Sequence, residues 1–383
     1  MSVSGNKEEC SLYFHIPFCS RKCPYCHFFV LPNEERFKKA LLEALALEWK
    51  QTIPKLASKK IVSIYFGGGT PSLFGPAAIG QVLNWVKSSG IECASDCEIT
   101  IEANPEETTT ELIKGFVDQG INRISLGVQS LDDALLKQLG RQHDAKRALD
   151  AIHQVREAGI SNLSIDLMYE LPNQTPESWL ATLKQLTSLP ITHLSLYNLT
   201  IEPETLFFKR KKALMPLLPS PEANLEMLNA AVSFLETMGL KRYEISAFAK
   251  EGYESRHNSG YWVARPFLGL GPSAFSYWQG KRFRNVAHLG KFTQALQEGK
   301  SPVDFEEELE PDNKRGELLA VQLRLSRGVE LNTFEKQHGL FSSEMRDTIQ
   351  KLLKRGWLEM GGSTLKLSAE GTLFYDSVAT ELI

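Results

Sequence analysis

The chain has 383 residues, of which 42% are hydrophobic, and this length favours two folded units over a single core. Its formal net charge of −3 gives no bulk attraction to nucleic acid or anionic lipid. It has no signal-peptide pattern and no apolar run long enough to span a membrane, and its six cysteines indicate reduced thiols. The sequence therefore predicts a cytoplasmic protein without a nucleic-acid partner.

The first 250 residues alternate short apolar strands with stretches of helical periodicity. This repetition indicates a parallel sheet with helices outside it. There are too few units for a closed eight-stranded barrel. We therefore predict an α/β fold with a partial (β/α)6-type barrel over residues 1–250. The predicted strands are 12–16, 62–66, 98–103, 123–129, 163–169, 193–200 and 242–248.

A loop with three cysteines, Cys19, Cys23 and Cys26, follows the first predicted strand. A cubane iron–sulfur cluster normally takes four thiolates. Three thiolates leave one iron free to bind a substrate or cofactor, so the spacing CxxxCxxC predicts such a cluster. The alternative is a zinc site with His27 as fourth ligand, although no second cysteine pair follows. The other three cysteines lack cluster spacing and are interpreted as ordinary thiols.

One face of each parallel strand is small or polar. Parallel strands covered on both faces should instead be almost continuously apolar, so we expect a water-filled lumen that holds a sizeable ligand. Glu102, Gln129 and Asp166 come late in their strands, where barrel enzymes build their sites. The small or polar faces carry Ser63, Tyr65, Gly67, Thr100, Glu102, Ser125, Gly127, Gln129, Ser164, Asp166, Ser195 and Tyr197.

A glycine-rich run, GGGTP at residues 67–71, directly follows the second predicted strand. Glycines let a ligand approach the backbone closely, because no Cβ stands in the way. By itself the run also fits a plain tight turn. Next to the cysteine loop it predicts a second wall of the same site.

The last 73 residues, 311–383, differ in composition from the barrel. Predicted helices at 313–325, 331–337 and 343–355 and a hairpin formed by 357–360 and 364–367 indicate a mostly helical, winged-helix-like domain. This region holds ten Lys and Arg and ten Asp and Glu, a net charge of 10 − 10 = 0. Because duplex binding needs excess basic charge, we interpret the domain as a cap or docking module. Residues 251–310 are predicted to connect it to the barrel.

Taken together, the motifs resemble the radical S-adenosylmethionine (SAM) family. Within it the chain is similar, over nearly its whole length, to the oxygen-independent coproporphyrinogen III oxidases and the related HemW-type haem chaperones. The resemblance implies that the three cysteines hold a [4Fe–4S] cluster and that SAM chelates its open iron. It rests on Tyr13-x-His15-x-Pro17, the cysteine loop, GGGTP, Glu102, Gly127-Val128-Gln129, Arg141 and Asp166.

The resemblance also implies roles toward SAM. Gly68, Gly69 and Thr70 would meet the methionyl amino end, and Glu102 would accept hydrogen bonds from the ribose hydroxyls. Arg141 would pair with the methionyl carboxylate, a geometry that suits a guanidinium fork; without the resemblance Arg141 reads as a solvated helix residue. The same pocket would be lined by Tyr13, Tyr25, Gln129 and Asp166.

Three features favour the chaperones over the oxidases. The oxidases carry a further cysteine soon after the third and a long N-terminal extension, whereas here His27 and Phe28 follow Cys26 and twelve residues precede Tyr13. The run HNSGYW at 257–262 matches the HNxxYW motif of the chaperones. We therefore expect haem to bind around His257, Tyr261 and Trp262, with the axial ligand left open. The alternatives are an oxygen-independent coproporphyrinogen III oxidase, which we expect to be inefficient here, and a zinc-stabilised interaction protein.

Two positions depart from the family pattern, and the partners are only partly indicated. Glu170 stands where glycine is expected, and Phe275 replaces an expected histidine that would be a haem contact. The implied partners are haem, an unidentified haem-acceptor protein and an electron donor such as a flavodoxin or ferredoxin. The basic run at 209–212 is interpreted as a solvated loop, with contact to haem propionates or to a membrane surface as the alternative.

Overall fold

The structure is a computed structural model that describes residues 7–383, and it is organised around one sheet of twelve strands. Five shorter strands form two small additional sheets. The strands are β1 (Glu8–Ile16), β2 (Phe18–Cys19), β3 (Leu31–Pro32), β4 (Lys59–Gly68), β5 (Glu92–Ala103), β6 (Arg123–Gln129), β7 (Asn162–Tyr169), β8 (His193–Asn198), β9 (Lys241–Glu244), β10 (Ala247–Ala249), β11 (Phe267–Leu270), β12 (Phe275–Trp278), β13 (Lys281–Asn285), β14 (Val303–Glu307), β15 (Val329–Glu330), β16 (Leu358–Gly361) and β17 (Thr364–Leu367).

Helices follow most strands of the first half and dominate the last quarter. No helix among the described residues is long and apolar enough to cross a membrane. The helices are α1 (Glu35–Leu56), α2 (Pro76–Ser88), α3 (Thr110–Gln119), α4 (Asp133–Gln138), α5 (Ala145–Glu157), α6 (Pro176–Gln185), α7 (Leu206–Lys209), α8 (Lys211–Leu214), α9 (Pro221–Thr237), α10 (Arg256–Trp262), α11 (Leu289–Gln297), α12 (Pro311–Gln322), α13 (Leu331–His338), α14 (Ser343–Lys354), α15 (Ala369–Leu373) and α16 (Tyr375–Leu382).

The strand order of the large sheet is β14-β13-β12-β11-β1-β4-β5-β6-β7-β8-β10-β9. The run from β11 to β8 is parallel throughout. Its outer face belongs to one large hydrophobic core, in which Leu12 and Phe14 of β1 join Leu41 and Leu45 of α1, all fully buried. The inner faces carry the polar residues expected from strand parity. The predicted α/β class with an open parallel barrel is confirmed.

The first six predicted strands are present, with boundaries that differ by a few residues. The seventh, predicted as one parallel strand over 242–248, is wrong. Residues 241–249 instead form a tight hairpin, β9 and β10, in which β10 pairs antiparallel with β8. The turn falls at Ile245 and Ser246. The apolar pattern of the segment was right, but two short strands and one longer strand share that pattern.

Residues 251–310 are more than a connecting segment. They form α10, α11 and four strands, and β11 pairs in parallel with β1, so β1 is an interior strand. Strands β13 and β14 are largely charged, and their cross-strand pairs join Arg282 to Glu307 and Arg284 to Asp304. Charged, short strands of this kind look like loops in the sequence, which is why they were missed.

The C-terminal region holds the three predicted helices and the predicted hairpin, β16 and β17. A third short strand, β15, pairs with β17, and α15 and α16 complete the region. It has its own hydrophobic core, to which Leu319, Leu352 and Leu365 contribute, each essentially fully buried. Arg324 fastens this core to the barrel, because its guanidinium lies 4.2 Å from the ring centre of Trp262 and 3.3 Å from the Glu244 carboxylate.

Candidate functional site

A cavity of about 420 Å³ opens at the carboxyl ends of the parallel strands, a size suited to a small-molecule ligand. We call it the cysteine cavity. Tyr13, although predicted for this pocket, does not line it and lies behind Tyr65 with the ring centres 6.2 Å apart. The predicted residues that do line it are Cys19, Cys23, Tyr25, Cys26, Gly68, Gly69, Thr70, Glu102, Gln129, Arg141 and Asp166.

The three cysteines are free, partly buried thiols; Cys19 ends β2, and Cys23 and Cys26 lie on the loop between β2 and β3. Burial raises the pKa of Cys19 to about 11 and also raises the pKa of Cys26. The Cys23 sulfur lies 3.6 Å from Arg141 Nη1, and the Cys19 sulfur lies 3.7 Å from Thr70 Oγ1. The Arg141 and Thr70 side chains therefore contact two of the three cysteine sulfurs.

The thiols fit a polynuclear cluster better than a single ion. Within residues 7–383, no three histidine, cysteine or acidic side chains converge as ligands of one metal ion. The cysteines instead border a cavity wide enough for both a cluster and an organic ligand. A single zinc ion would need four donors about 2.0–2.3 Å from it. Three cysteines beside an open cavity match the donor set of a [4Fe–4S] cluster in which one iron has no protein ligand.

The GGGTP turn is locked onto the cysteine loop by backbone hydrogen bonds. Gly69 N–H donates to the Ile16 carbonyl at 3.0 Å, and Thr70 N–H donates to the Phe18 carbonyl at 2.6 Å. A Cβ on Gly69 would lie 2.6 Å from the Phe18 carbonyl oxygen, so only glycine fits. Gly68 has φ +115° and lies against the His15 imidazole. The two glycines therefore bring the backbone to the cavity wall at fixed positions.

Two half-buried carboxyls, those of Glu102 and Asp166, face the inner part of the cavity. Glu102 accepts hydrogen bonds from the Tyr65 hydroxyl at 2.8 Å and from Gly68 N–H at 3.2 Å. Burial raises its pKa to about 7. Burial likewise raises the pKa of Asp166, which accepts a hydrogen bond from the Ser125 hydroxyl at 3.3 Å. Both groups can accept hydrogen bonds from the hydroxyls of a ligand.

Arg141 lies inside the cavity, not in solvent. Its Nη2 donates to the Asn104 side-chain oxygen and to the Gly127 carbonyl, both at 2.7 Å. Its Nε is buried and has no hydrogen-bond partner among the described residues. The alternative of a solvated helix residue is therefore wrong, because α4 ends before Arg141 and the loop turns the side chain inward. A buried guanidinium with donors to spare favours an anionic ligand group.

Sequence reasoning missed Asn104, which organises this wall. Its amide nitrogen donates to Thr70 Oγ1 at 2.8 Å while its oxygen accepts from Arg141. Asn104 thus links the glycine turn to the guanidinium. The available signal was its position directly after β5, where the strand delivers polar residues to the site. Glu106 and Glu202, also missed, line the same cavity, as does Tyr197, which strand parity had placed on the inner face.

Two residues near the cavity adopt left-handed backbone conformations. Gln129, at the end of β6, has φ +67°, and Glu170, directly after β7, has φ +61°. This conformation costs a non-glycine residue roughly 1–2 kcal/mol. It gives the physical reason why glycine was expected at position 170. At position 129 the turn places a cavity-lining amide next to Gly127.

The structure encloses His257 inside the barrel. The side chain is 1% exposed, and its ring lies 4.8 Å from the Tyr65 ring, centre to centre. Nδ1 is hydrogen-bonded to the Ser63 hydroxyl at 3.0 Å and Nε2 to the Tyr261 hydroxyl at 2.8 Å. Burial lowers its pKa to about 3. With both ring nitrogens engaged, His257 has no nitrogen free for haem iron, contrary to its expected place among the haem contacts.

Tyr261 and Trp262, the other predicted haem contacts, line a second cavity of about 580 Å³. We call it the aromatic cavity. It lies between the cysteine loop, strands β11 to β13 and helix α12, and Tyr13 also lines it. His27 and Phe28 border both cavities. The residues predicted for one haem site are thus divided between the barrel interior and this second cavity.

Comparison with known proteins assigns the fold class. Residues 13–186 match the radical SAM superfamily, and residues 309–374 match the HemN C-terminal domain. The solved structure of coproporphyrinogen III oxidase (HemN) from Escherichia coli aligns with a TM-score of 0.85 and 26% sequence identity. The alignment covers 98% of this chain and 90% of that chain. The protein is therefore a radical SAM protein with the HemN-like fold, a superfamily that implies a [4Fe–4S] cluster and SAM.

Relatives with higher sequence identity to this chain show which family within the superfamily it belongs to. The haem chaperone HemW of Haemophilus influenzae is 33% identical, over 96% of both chains. That of Bacillus subtilis is 32% identical, over 96% of this chain and 97% of the relative. The chain belongs to the HemW family.

Proposed function

We propose that this protein is a haem chaperone that binds haem and transfers it to an acceptor protein, while carrying a SAM-chelated [4Fe–4S] cluster. The observation that carries the proposal is the similarity, end to end, to relatives named haem chaperones. The structure adds two cavities that share one loop: a polar one with three cysteines and an aromatic one large enough for a macrocycle. The oxidase and the zinc-stabilised protein are not favoured.

In the cysteine cavity, Cys19, Cys23 and Cys26 would hold the cluster. When bound, the cluster supplies an open iron and an electron, delivered by a donor such as a flavodoxin or ferredoxin. Gly68, Gly69 and Thr70 are proposed to meet the methionyl amino end of SAM. Their support is the fixed backbone of the turn against the cysteine loop.

The remaining contacts to SAM would come from ionisable side chains. Arg141 is proposed to bind the methionyl carboxylate, supported by its unpartnered buried Nε. Glu102 would accept from the ribose hydroxyls, supported by its place in the cavity. Tyr25, Gln129 and Asp166 would complete the wall. Tyr13 does not line this cavity and is not proposed as a SAM contact.

The test uses the full-length protein reconstituted anaerobically with iron and sulfide. Haemin is titrated into it while the Soret band is followed, and the complex is then mixed with apomyoglobin as a generic acceptor. We expect saturable binding and transfer of the bound haem to apomyoglobin. No haemin binding by the reconstituted protein would end the chaperone proposal.

The oxidase alternative is tested on the same preparation. The chain has His27 and Phe28 where the oxidases carry a further cysteine. We expect little or no decarboxylation of coproporphyrinogen III in the presence of SAM and a chemical reductant. Multiple turnovers to protoporphyrinogen IX would instead favour the oxidase.

A further inference from the structure

We infer that the aromatic cavity is the haem site, with His27 as the iron ligand and arginines of β13 as partners of the propionates. This inference rests on the proposed function and deepens it, because it assigns the ligand to a place and a ligating side chain. It replaces His257, which is enclosed in the barrel, with a histidine of the cysteine loop.

The shape and lining of the cavity suit a flat apolar ligand. Its volume of about 580 Å³ is within the range of organic-cofactor sites. Tyr261, Trp262 and Phe267 line it, and so do Phe28 and Phe275, which are 52% and 47% exposed. Large aromatic side chains left that open on a cavity wall are available to stack on a macrocycle.

The charged groups at this cavity suit two carboxylates. Arg282 pairs with Glu307 and with Glu317, each at 2.5 Å, and Arg284 pairs with Asp304 at 3.1 Å. The two arginine side chains are 42% and 36% exposed. Ion pairs this exposed contribute only about 0–1 kcal/mol. Exchanging Glu307 or Asp304, which are themselves 38% and 34% exposed, for a ligand propionate therefore costs little. The Arg284 guanidinium already lies 5.7 Å from the Phe275 ring centre.

Two histidines line the cavity, and only one is free to ligate iron. His15 is 4% exposed, with Nδ1 hydrogen-bonded to the Tyr13 hydroxyl at 3.1 Å and Nε2 to the Phe29 carbonyl at 3.3 Å. His27 is exposed, and neither of its ring nitrogens makes a hydrogen bond to another described residue. Neutral imidazole is a common axial ligand of haem iron. The structure thus assigns this role to His27.

This placement connects the two cavities through one short loop. His27 follows Cys26 directly, and both His27 and Phe28 border the cysteine cavity as well as the aromatic one. A haem bound to His27 would lie beside the loop that holds the cluster. Assembly of the cluster would order that loop and so prepare the haem ligand. Haemin should therefore bind more tightly to the reconstituted protein than to the apo protein.

The first test compares His27→Ala with His153→Ala in the reconstituted full-length protein. His153 is exposed on α5, away from both cavities, and serves as the matched control. We expect His27→Ala to weaken haemin binding by about tenfold or more and to shift the Soret band, with His153→Ala unchanged. Iron, sulfide and SAM binding are measured on each variant. An unchanged spectrum and affinity in His27→Ala would overturn the assignment.

Two further variants keep the test decisive if His27→Ala loses its cluster. Phe275→His leaves the cysteine loop intact and should add a second imidazole, giving a low-spin bis-histidine spectrum. Replacing both β13 arginines, Arg282→Gln with Arg284→Gln, should weaken binding of haemin but not of its dimethyl ester. A wild type that binds haemin while all these variants match it would reject this site yet leave the chaperone function standing. A wild type that binds no haemin would reject both.

Discussion

At the scale of single residues, the cysteine loop carries the sharpest chemical expectation. Cys23 lies beside the Arg141 guanidinium and at the centre of the CxxxCxxC spacing. We expect the reconstituted wild type to bind about four irons per chain and Cys23→Ser to lose the cluster. Cys93→Ser, at an exposed cysteine on β5, is the control and should keep it. Iron and sulfide analysis measures both, and full iron content in Cys23→Ser would contradict the assigned ligand set.

Glu102 should make stability depend on pH. Burial raises its pKa in the folded protein to about 7, above the ordinary value of 4.5. The folded state therefore binds more protons than the unfolded state in this window, and stability falls as pH rises from 4.5 to about 7. We expect Glu102→Gln to reduce the total loss of unfolding free energy across this pH range by about 2 kcal/mol in the apo protein.

The free energy of unfolding of the apo protein is measured by chemical denaturation at several pH values between 4.5 and about 7. Glu254→Gln, at an exposed position, is the control and should leave the slope as it is. An equally steep slope in Glu102→Gln would mean that other groups produce the dependence. Glu48 and Glu107 are the alternatives, because burial raises the pKa of each to about 7 as well.

Glu170 stores backbone strain at φ +61°. Glycine removes the steric cost of roughly 1–2 kcal/mol but loses about 0.5–1 kcal/mol through the entropy of the unfolded chain. We therefore expect Glu170→Gly to leave the free energy of unfolding unchanged or to raise it by up to about 1.5 kcal/mol. Glu170→Val should lower it, since β-branched residues tolerate this conformation least. Thermal unfolding checks the order of the two variants, and the reverse order would exclude strain at this position.

At the scale of elements, helix α10 is held by a carboxylate from the barrel. Glu98 accepts hydrogen bonds from the backbone N–H groups of Arg256 and His257, both at 2.9 Å. The helix has only seven residues, so it depends on such anchors. Through His257, which is hydrogen-bonded to the Tyr261 hydroxyl, the anchor also positions one lining residue of the aromatic cavity. The histidine of the HNxxYW motif therefore has a structural role, because it packs inside the barrel and anchors α10 there.

Removing this anchor should destabilise the protein. We expect Glu98→Ala to lower the free energy of unfolding by about 1–3 kcal/mol, because it leaves buried N–H groups without an acceptor. Chemical denaturation measures the loss, with the exposed Glu254→Ala as the matched control. A variant as stable as the control would show that water replaces the carboxylate at no cost.

At the scale of the whole molecule, Arg324 joins the C-terminal core to the barrel. Its guanidinium contacts the Trp262 and Tyr375 rings at 4.2 and 5.1 Å and pairs with Glu244, which is almost fully buried. Trp262 also lines the aromatic cavity. The position of the C-terminal region therefore determines one wall of the proposed haem site.

Removing the Arg324 contacts should weaken the packing of the C-terminal region against the barrel. We expect Arg324→Met to lower the free energy of unfolding by about 2–3 kcal/mol, through the lost cation–π contacts and the unpaired Glu244. Limited proteolysis between residues 300 and 330 should become faster as well. Arg327→Met, on the following loop, is the control. Equal protease resistance in the two variants would show that Arg324 does not hold the interface.

Much of the fold could be predicted because its signals are local. Strand parity placed Tyr65, Glu102 and Asp166 on the inner face, since alternation along a strand is a backbone property. The extension β12 to β14 and the hairpin β9–β10 escaped prediction. Their short, charged strands are stabilised by cross-strand pairs such as Arg284 with Asp304, which no local pattern shows.

By itself, the sequence predicted the cluster ligands and determined the glycine turn and the family, because each depends on spacing along a few residues. Only the tertiary structure decided where the side chains of one motif go. His257 and Trp262 are five residues apart, yet one is enclosed in the barrel and the other lines the aromatic cavity against Arg324. Arg141 likewise reads as a solvated residue until the fold buries it beside Cys23. Burial and hydrogen-bond partners come from segments distant in the chain, and those partners decide which groups remain free to bind a ligand.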